Sequence, residues 1–344
     1  MSFNTTSKFF IVSASIIIVL AGIKIASPII VTFLLSLFIA TIFAPLFEYL
    51  NSKRIPESLS LVIVISVFIL FITVIGVLLG SSIQDFSSNI STYSQKLEEQ
   101  LLHLTQFLNS FGLHVSLLDI NKVFNPAKLL SYFTSTLKGI TSLFADGFVI
   151  LLIVAFLLLE ASQFGDKIKV MHGEDGAIKN IANISEKIKH YMALKAIISL
   201  LTGVVVSIFL AIMGVDFAIL FGAIAFLLNF IPNIGSIIAA IPAVLLAFIQ
   251  LGSTSALVVA GVYVAINIVL GSIIEPKVMG RGLGLSTLVV FLSLIFWGWL
   301  LGPVGMLLSI PLTIMFKIVM DTKEETKWIS VLLSSSIDIK KESK

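Results

Sequence analysis

The chain has 344 residues, of which 58% are hydrophobic and 12% charged, with a mean hydropathy of +1.10 and a net charge of +3. Soluble domains carry about 25% charged residues, so this composition excludes a soluble globular protein and indicates an integral membrane protein. The absence of cysteine excludes disulfides and thiolate chemistry.

Apolar runs recur along the chain at close to the roughly 20 residues that a helix needs to cross a membrane. They predict an all-α polytopic membrane protein with about eight membrane segments, counting each interrupted pair of runs as one segment. In chain order the runs are 9–25, 29–47, 59–79, 147–159, 196–213, 217–231 with 234–249, 256–274, and 288–301 with 304–320.

The polar stretch after the third run contains Leu97, Leu101, Leu104, Leu108 and Phe111 at alternating spacings of four and three. This spacing predicts a helix with a narrow apolar seam, which could pack on its own protomer, lie on the membrane surface or contact another subunit. We therefore predict N-terminal membrane helices at 1–80, an outward-facing amphipathic segment at 81–146, a transport core at 147–325 and a cytoplasmic tail at 326–344.

Basic residues predict the orientation of the chain. Lys53 and Arg54 follow the second run, and a lysine-rich segment at 162–195 follows the fourth. Basic loops stay on the cytoplasmic side, so we expect both termini to be cytoplasmic.

The transport core is interrupted at Asn229-Phe-Ile-Pro-Asn-Ile-Gly235. Pro232 removes a backbone donor and Gly235 loosens the helix, so a break is expected here. Inside a membrane, freed backbone groups are tolerated only where protein or water covers them. Asn229 and Asn233 flank the break and could bind a polar solute, or could cap the helix ends and join helices.

A second interruption at Gly302-Pro303-Val304-Gly305 resembles the first, because each is followed by another proline about two turns later. Paired interrupted segments are the best sequence pointer to a transporter site. Each pair could be a re-entrant helical hairpin or two kinked crossings.

The remaining candidate residues lie between the two breaks. Asn267 is an isolated polar residue in an apolar run, where joining helices is the more common role. In the loop Glu275-Pro-Lys-Val-Met-Gly-Arg281-Gly282, we expect either orientation anchors or a gate in which Glu275 pairs with Arg281. We also expect Asp216 to cap the helix that follows it.

No histidine cluster, nucleophile motif or phosphate-binding loop is present in the sequence, so we expect neither a metal, a cofactor nor an enzymatic activity.

Four motifs together resemble the autoinducer-2 exporter family, also called PerM-like transporters. They are the Asn229–Gly235 break, the Glu275–Thr287 loop, Phe296-Trp-Gly-Trp-Leu-Leu-Gly-Pro-Val-Gly305, and Ile310-Pro311. The resemblance implies a bacterial inner-membrane transporter that exports autoinducer-2, a small hydroxylated furanone-type signal. It also implies a homo-oligomer, a pentamer, embedded in lipid. The basic residues lie mainly in loops and report orientation, so we expect no nucleic-acid partner.

Three functions are therefore open. Export of a small neutral signal would use Asn229, Asn233 and the freed backbone near Pro232, with the Gly302–Gly305 break facing them. Monovalent cation/proton antiport would use Glu275 as the titrating carboxylate. A membrane scaffold would assemble through the Leu97–Phe111 helix.

Overall fold

The computed structural model describes residues 5–111, 147–172, 176–232, 234–279, 284–321 and 324–335. Within these ranges the regular structure is helical, apart from an isolated bridge between Leu285 and Ser334. This confirms the predicted all-α class. The helices are α1 Thr5–Ile25, α2 Ser27–Ser52, α3 Glu57–Ser88, α4 Ile90–Ser110, α5 Gly147–His172, α6 Gly176–Met213, α7 Ala218–Leu228, α8 Ile234–Leu251, α9 Ser253–Ile266, α10 Glu275–Met279, α11 Thr287–Leu307, α12 Ser309–Asp321 and α13 Lys327–Leu333.

The described residues contain six helices long and apolar enough to cross a membrane. They are Ser27–Ser52, Glu57–Ser88, Ile188–Met213, Ile234–Leu251, Ser253–Val278 and Thr287–Leu307. Only 17% to 33% of the most apolar window of each is buried within the protein. The remaining apolar surface needs lipid or another chain to cover it, so the chain is a polytopic membrane protein.

The chain forms two compact units, which we describe separately. Unit 1 draws its described residues from 1–61, 148–193 and 281–344. In it, α1, α2 and α11 pack against one another, α12 packs on α11, and α13 packs on α12. An exposed ion pair joins Lys189 to Glu48 at 2.7 Å.

The second interruption lies in unit 1, at the predicted place. The segment Thr287–Leu307 consists of two helical parts that meet in a kink at Gly302, whose backbone is not helical. Gly302 has φ 70° and ψ −154°, a conformation that is readily available only to glycine. The helix ends at Leu308, and the Trp297 indole donates a hydrogen bond of 3.0 Å to the Thr313 hydroxyl of α12.

Unit 2 draws its described residues from 62–147 and 194–280. The backbones of α6 and α7 approach closely where Gly203 meets Gly222, since a Cβ added to Gly203 would lie 2.6 Å from the Gly222 carbonyl oxygen. The two helices pack antiparallel, which brings the end of α7 back towards the start of the apolar part of α6. In turn, α7 packs on α8 and α8 packs on α9.

The amphipathic helix α4 also belongs to unit 2 and packs on α8. Leu97 and Leu101 of the predicted seam are 1% and 2% exposed within this core. Packing on the same protomer is therefore confirmed for these two residues. Farther along the seam, Phe111 is 70% exposed.

Candidate functional site

The predicted break at Pro232 is present and separates two packed helices of unit 2. α7 ends at Leu228 and α8 begins at Ile234. Gly235 lies directly against the carbonyl oxygen of Leu228, where a side chain would collide. The second break, in unit 1, has the same close contact of a glycine with the preceding helix: Gly305 lies against the carbonyl oxygen of Trp297. In both places glycine allows the chain to pack on its own preceding turns. Asn233 lies outside the described residues.

Asn229 is buried at the end of α7, with 9% of its surface exposed. Its side-chain amide donates a hydrogen bond of 3.0 Å to the Ser199 hydroxyl of α6. A buried amide needs such a partner, because an unmet polar group in an apolar environment is costly. The bond connects the broken helix to α6 and leaves Asn229 at the wall of a cavity.

This cavity of unit 2 is lined by residues of α6, α8 and the long helix that starts at Ser253, and by α7 with Asn229 at its end. Its polar lining consists of hydroxyls and amides, and none of the described residues that line it is a carboxylate, lysine, arginine or histidine. As it stands the space has room for about a single water molecule. The lining residues are Thr202, Val206, Ala225, Asn229, Ser236, Tyr263, Ile266, Asn267, Leu270 and Gly271.

The long helix changes its hydrogen bonding beside the cavity. Asn267–Ile274 form eight residues of π-helix between α9 and α10, and the Glu275 amide donates to the Leu270 carbonyl, five residues earlier. A π-helical turn is wider than an α-helical turn, and such insertions often occur at functional sites. Asn267 opens this segment, and its side-chain oxygen lies over Gly271. Asn267, predicted mainly as a residue that joins helices, thus lies on the cavity wall.

A buried ion pair lies at the end of the π segment. Lys195 Nζ lies 2.7 Å from Glu275 Oε1 and 2.8 Å from Oε2. The Lys195 side chain is 6% exposed and that of Glu275 is 17% exposed. Lys195 thus binds both carboxylate oxygens of Glu275, for which one of the two interpretations of the loop predicted Arg281 as the partner. Arg281 and Gly282 lie outside the described residues, so the pairing with Arg281 stays a prediction.

A polar cluster lies at the other end of α6 in unit 2. The Tyr93 hydroxyl donates a hydrogen bond of 2.9 Å to the Asp216 carboxylate, and the Gln250 amide donates to the same oxygen. The Asp216 backbone amide donates to the Gln250 side-chain oxygen at 3.0 Å. The predicted capping role of Asp216 is wrong: α7 has no side-chain cap, and the Asp216 side chain instead joins α4 to α8.

Comparison with known proteins places this architecture in a family. The sequence model of the AI-2E family transporters matches residues 14–325. The chain belongs to the AI-2E transporter family. It is 40% identical to the AI-2 transport protein TqsA of Escherichia coli K12 over 338 residues, covering 97% of both chains. It is also 40% identical to a putative transport protein of Haemophilus influenzae, covering 95% of this chain and 96% of that one. Its identity to the putative transport protein YhhT of Escherichia coli K12 is 35%, covering 93% and 92%.

Membership of the AI-2E family confirms the resemblance found in the sequence motifs. Of the predicted site residues, the structure brings Asn229 and Asn267 to one cavity and places Glu275 one turn beyond its wall. Pro232 and Gly235 form the adjacent break. Gly302, Pro303 and Gly305 belong to unit 1, so their predicted role facing the first break stays a prediction.

Two residues of this candidate site in the AI-2E transporter chain are absent from the predicted site residues. Lys195 was assigned to the polar lysine-rich segment, although Tyr191-Met-Ala-Leu194 already begins the apolar run before it. A lysine inside an apolar run is the signal that could have found it. Tyr263 lies within the apolar run 256–274 and has no distinguishing signal in the sequence, and only the tertiary structure places it at the cavity.

Proposed function

We propose that this chain is a bacterial inner-membrane transporter that exports autoinducer-2. The observation that carries the proposal is the neutral, polar cavity beside the Pro232 break. Autoinducer-2 is small and hydroxylated, so a site for it needs hydroxyl and amide partners rather than charged groups. The relative named as an AI-2 transport protein, which matches nearly the whole chain, supports the same solute.

The solute would bind between the broken helix and the π segment. Asn229 and Asn267 carry amides that both donate and accept hydrogen bonds, and Thr202 adds a hydroxyl from α6. We propose that Asn233, next to Pro232 in the break, extends this polar surface. A small ligand bound by a few convergent polar groups in an otherwise apolar cavity is the usual arrangement of such sites.

Transport requires the cavity to widen, because its present volume is far below that of a furanone. The Lys195–Glu275 pair lies about two helical turns from Thr202 on α6 and one turn from Gly271 on the long helix. The pair therefore ties together the two helices that line the cavity. We propose that it closes the cytoplasmic end of the site and that it opens when the π segment moves.

The two interrupted segments would act as joints in this movement. α7 has only 11 residues, a length of about 16 Å, which is too short to cross a hydrocarbon core of about 30 Å. The shortness of α7 supports a re-entrant hairpin of α7 and α8 as one of eight membrane segments, whereas α8 by itself is long enough to cross. The kink at Gly302 would provide the second joint, in α11.

The placement in the membrane follows the distribution of basic residues, with both termini cytoplasmic. We propose a non-enzymatic homo-oligomer, a pentamer, surrounded by lipid. Phe107 of α4 and Phe111, which directly follows this helix, are 60% and 70% exposed and are available for contact with lipid or a neighbouring subunit. Native mass measurement of the purified protein tests the pentamer directly.

Efflux from reconstituted vesicles tests the function. Vesicles containing the full chain should release trapped autoinducer-2 faster than empty vesicles, and assays with and without imposed ion gradients identify the energy source. Asn229→Ala and Asn233→Ala should slow release without loss of protein. Gly261→Ala is a matched control, because an added Cβ at Gly261 meets nothing within 4 Å.

Release at the rate of empty vesicles would contradict export, whereas normal release in both asparagine variants would contradict the site. Cation/proton antiport through Glu275 stays the alternative. If it is correct, cation-driven proton movement occurs in the same vesicles and is lost in Glu275→Gln.

A further inference from the structure

The Tyr263 hydroxyl is a buried polar group without a protein partner. Tyr263 lies on α9 and is 5% exposed, and its hydroxyl oxygen forms no hydrogen bond with any residue in the described part of the chain. Leaving a hydroxyl unpaired in an apolar environment is costly, and buried polar groups are seldom left so. Such a group calls for an explanation.

The position of Tyr263 explains its unpaired hydroxyl. Four buried side-chain atoms lack partners in the described residues, and they belong to Asn51, Ser60, Tyr263 and Ser309. Of these residues, Tyr263 lines the cavity that also holds Asn229 and Asn267. The unpaired donor therefore belongs to the wall of the proposed solute site.

The composition of the wall defines the chemical class of the ligand. A tyrosine hydroxyl donates to an accepting oxygen, and the other polar groups are amides and hydroxyls. A charged ligand would enter without a counter-charge among the described lining residues, and burying an unpaired charge is far more costly than burying a hydroxyl. The site therefore suits a neutral, oxygen-rich small molecule.

We propose that Tyr263 donates the hydrogen bond that selects a hydroxylated solute, and that the uncharged lining around it discriminates against charged forms of that solute. The identity of the solute as autoinducer-2 rests on the function proposed above, whereas the ligand class rests on the cavity alone. A site built around a hydrogen-bond donor rejects analogues that cannot accept the bond more strongly than a site built on shape. Tyr263 is thus a specificity-determining residue.

The test measures binding and stability in the same full-length protein in lipid nanodiscs. The ligands are autoinducer-2, its phosphorylated form, and the neutral polyols ribose and erythritol. Tyr263→Phe should weaken binding of the preferred neutral ligand about tenfold, the loss expected for a buried hydrogen bond. Because the hydroxyl is unpaired in the ligand-free protein, Tyr263→Phe should leave its unfolding midpoint unchanged or raise it.

Tyr93→Phe is the matched control. Its hydroxyl already donates to Asp216, so its removal should lower the unfolding midpoint and leave ligand affinity unchanged. If the role of Tyr263 were only structural, Tyr263→Phe would likewise lower the unfolding midpoint and leave ligand affinity unchanged.

The outcomes separate the two proposals. Binding of a polyol but not of autoinducer-2, weakened in Tyr263→Phe, supports the role of Tyr263 and overturns the proposed solute. Equal affinity of wild type and Tyr263→Phe overturns the role of Tyr263. Binding of the phosphorylated form as tightly as the neutral one, or binding of none of the four ligands, overturns the ligand class.

Discussion

Lys195 and Glu275 form a buried ion pair across 80 residues of sequence, with the ammonium nitrogen 2.7 Å and 2.8 Å from the two carboxylate oxygens. Each residue supplies the charge that lets the other remain in an apolar setting. Removing one partner leaves the other charge unpaired, which costs more than losing both. Single and double substitutions of the pair should therefore differ in their effect on the stability of the protein.

We expect the single substitutions Lys195→Met and Glu275→Gln each to destabilise the protein by about 3–5 kcal/mol, the range for breaking a buried pair. The double substitution should recover most of that loss. Thermal unfolding in detergent checks this cycle.

The exposed Lys189–Glu48 pair is the matched control, because its side chains are 38% and 61% exposed. Glu48→Gln should change stability by no more than about 1 kcal/mol. Additive losses in the Lys195/Glu275 double variant would show that the two charges do not compensate each other.

The proposed closing role of the pair predicts a change in access to the cavity. The chain lacks cysteine, so Thr202→Cys provides a single reporter in the cavity wall. Adding Glu275→Gln should make this cysteine react severalfold faster with a membrane-impermeant maleimide applied from the cytoplasmic side. Labelling of right-side-out and inside-out vesicles measures the difference.

The exchange Lys195→Glu with Glu275→Lys should restore the slow reaction, because it restores the pair. Unchanged labelling in Glu275→Gln would show that the pair does not close the cavity.

The glycines after the two breaks predict a position-specific effect of a single methyl group. Gly235→Ala and Gly305→Ala each place a Cβ against a backbone carbonyl, of Leu228 and of Trp297 respectively. A backbone carbonyl in a helix cannot move aside as a flexible side chain can. Each substitution should therefore destabilise the folded protein by about 1–3 kcal/mol.

Gly22→Ala should be neutral or stabilising by up to about 1 kcal/mol, since its added Cβ meets nothing within 4 Å and alanine favours a helix. Unfolding midpoints of the three variants test the contrast. Equal effects at Gly22 and Gly235 would mean that close packing at the break is not required.

Tyr93 predicts a stability change at alkaline pH. Burial, the hydrogen bond to Asp216 and the nearby Asp216 and Asp85 charges raise the pKa of the Tyr93 hydroxyl above its ordinary value of 10.0. The folded protein then holds this proton more tightly than the unfolded chain. The contribution to stability is fully present below about pH 10 and is lost as the pH rises further.

Unfolding midpoints measured from pH 8 to pH 11, about the range accessible in detergent, should therefore fall more steeply above pH 10 in wild type than in Tyr93→Phe. Parallel curves for the two proteins would contradict the raised pKa.

The sequence by itself determined the all-α membrane class, the break at Pro232 and the family. All three depend on local sequence. An apolar run, a missing backbone donor and a contiguous motif can each be recognised without knowledge of the tertiary structure. The same local reasoning put the second interruption at Gly302-Pro303. The helix is interrupted there, because glycine at position 302 takes a positive φ that is not helical.

Only the tertiary structure decided which residues meet. Lys195 lies 80 residues from Glu275, whereas the predicted partner Arg281 lies much nearer in the sequence. The unpaired Tyr263 hydroxyl and the π segment also leave no mark in a hydropathy pattern, because both depend on how neighbouring helices pack. Local sequence predicts helices, and long-range packing determines which of their polar groups are paired, left open to a solute, or placed to close the cavity.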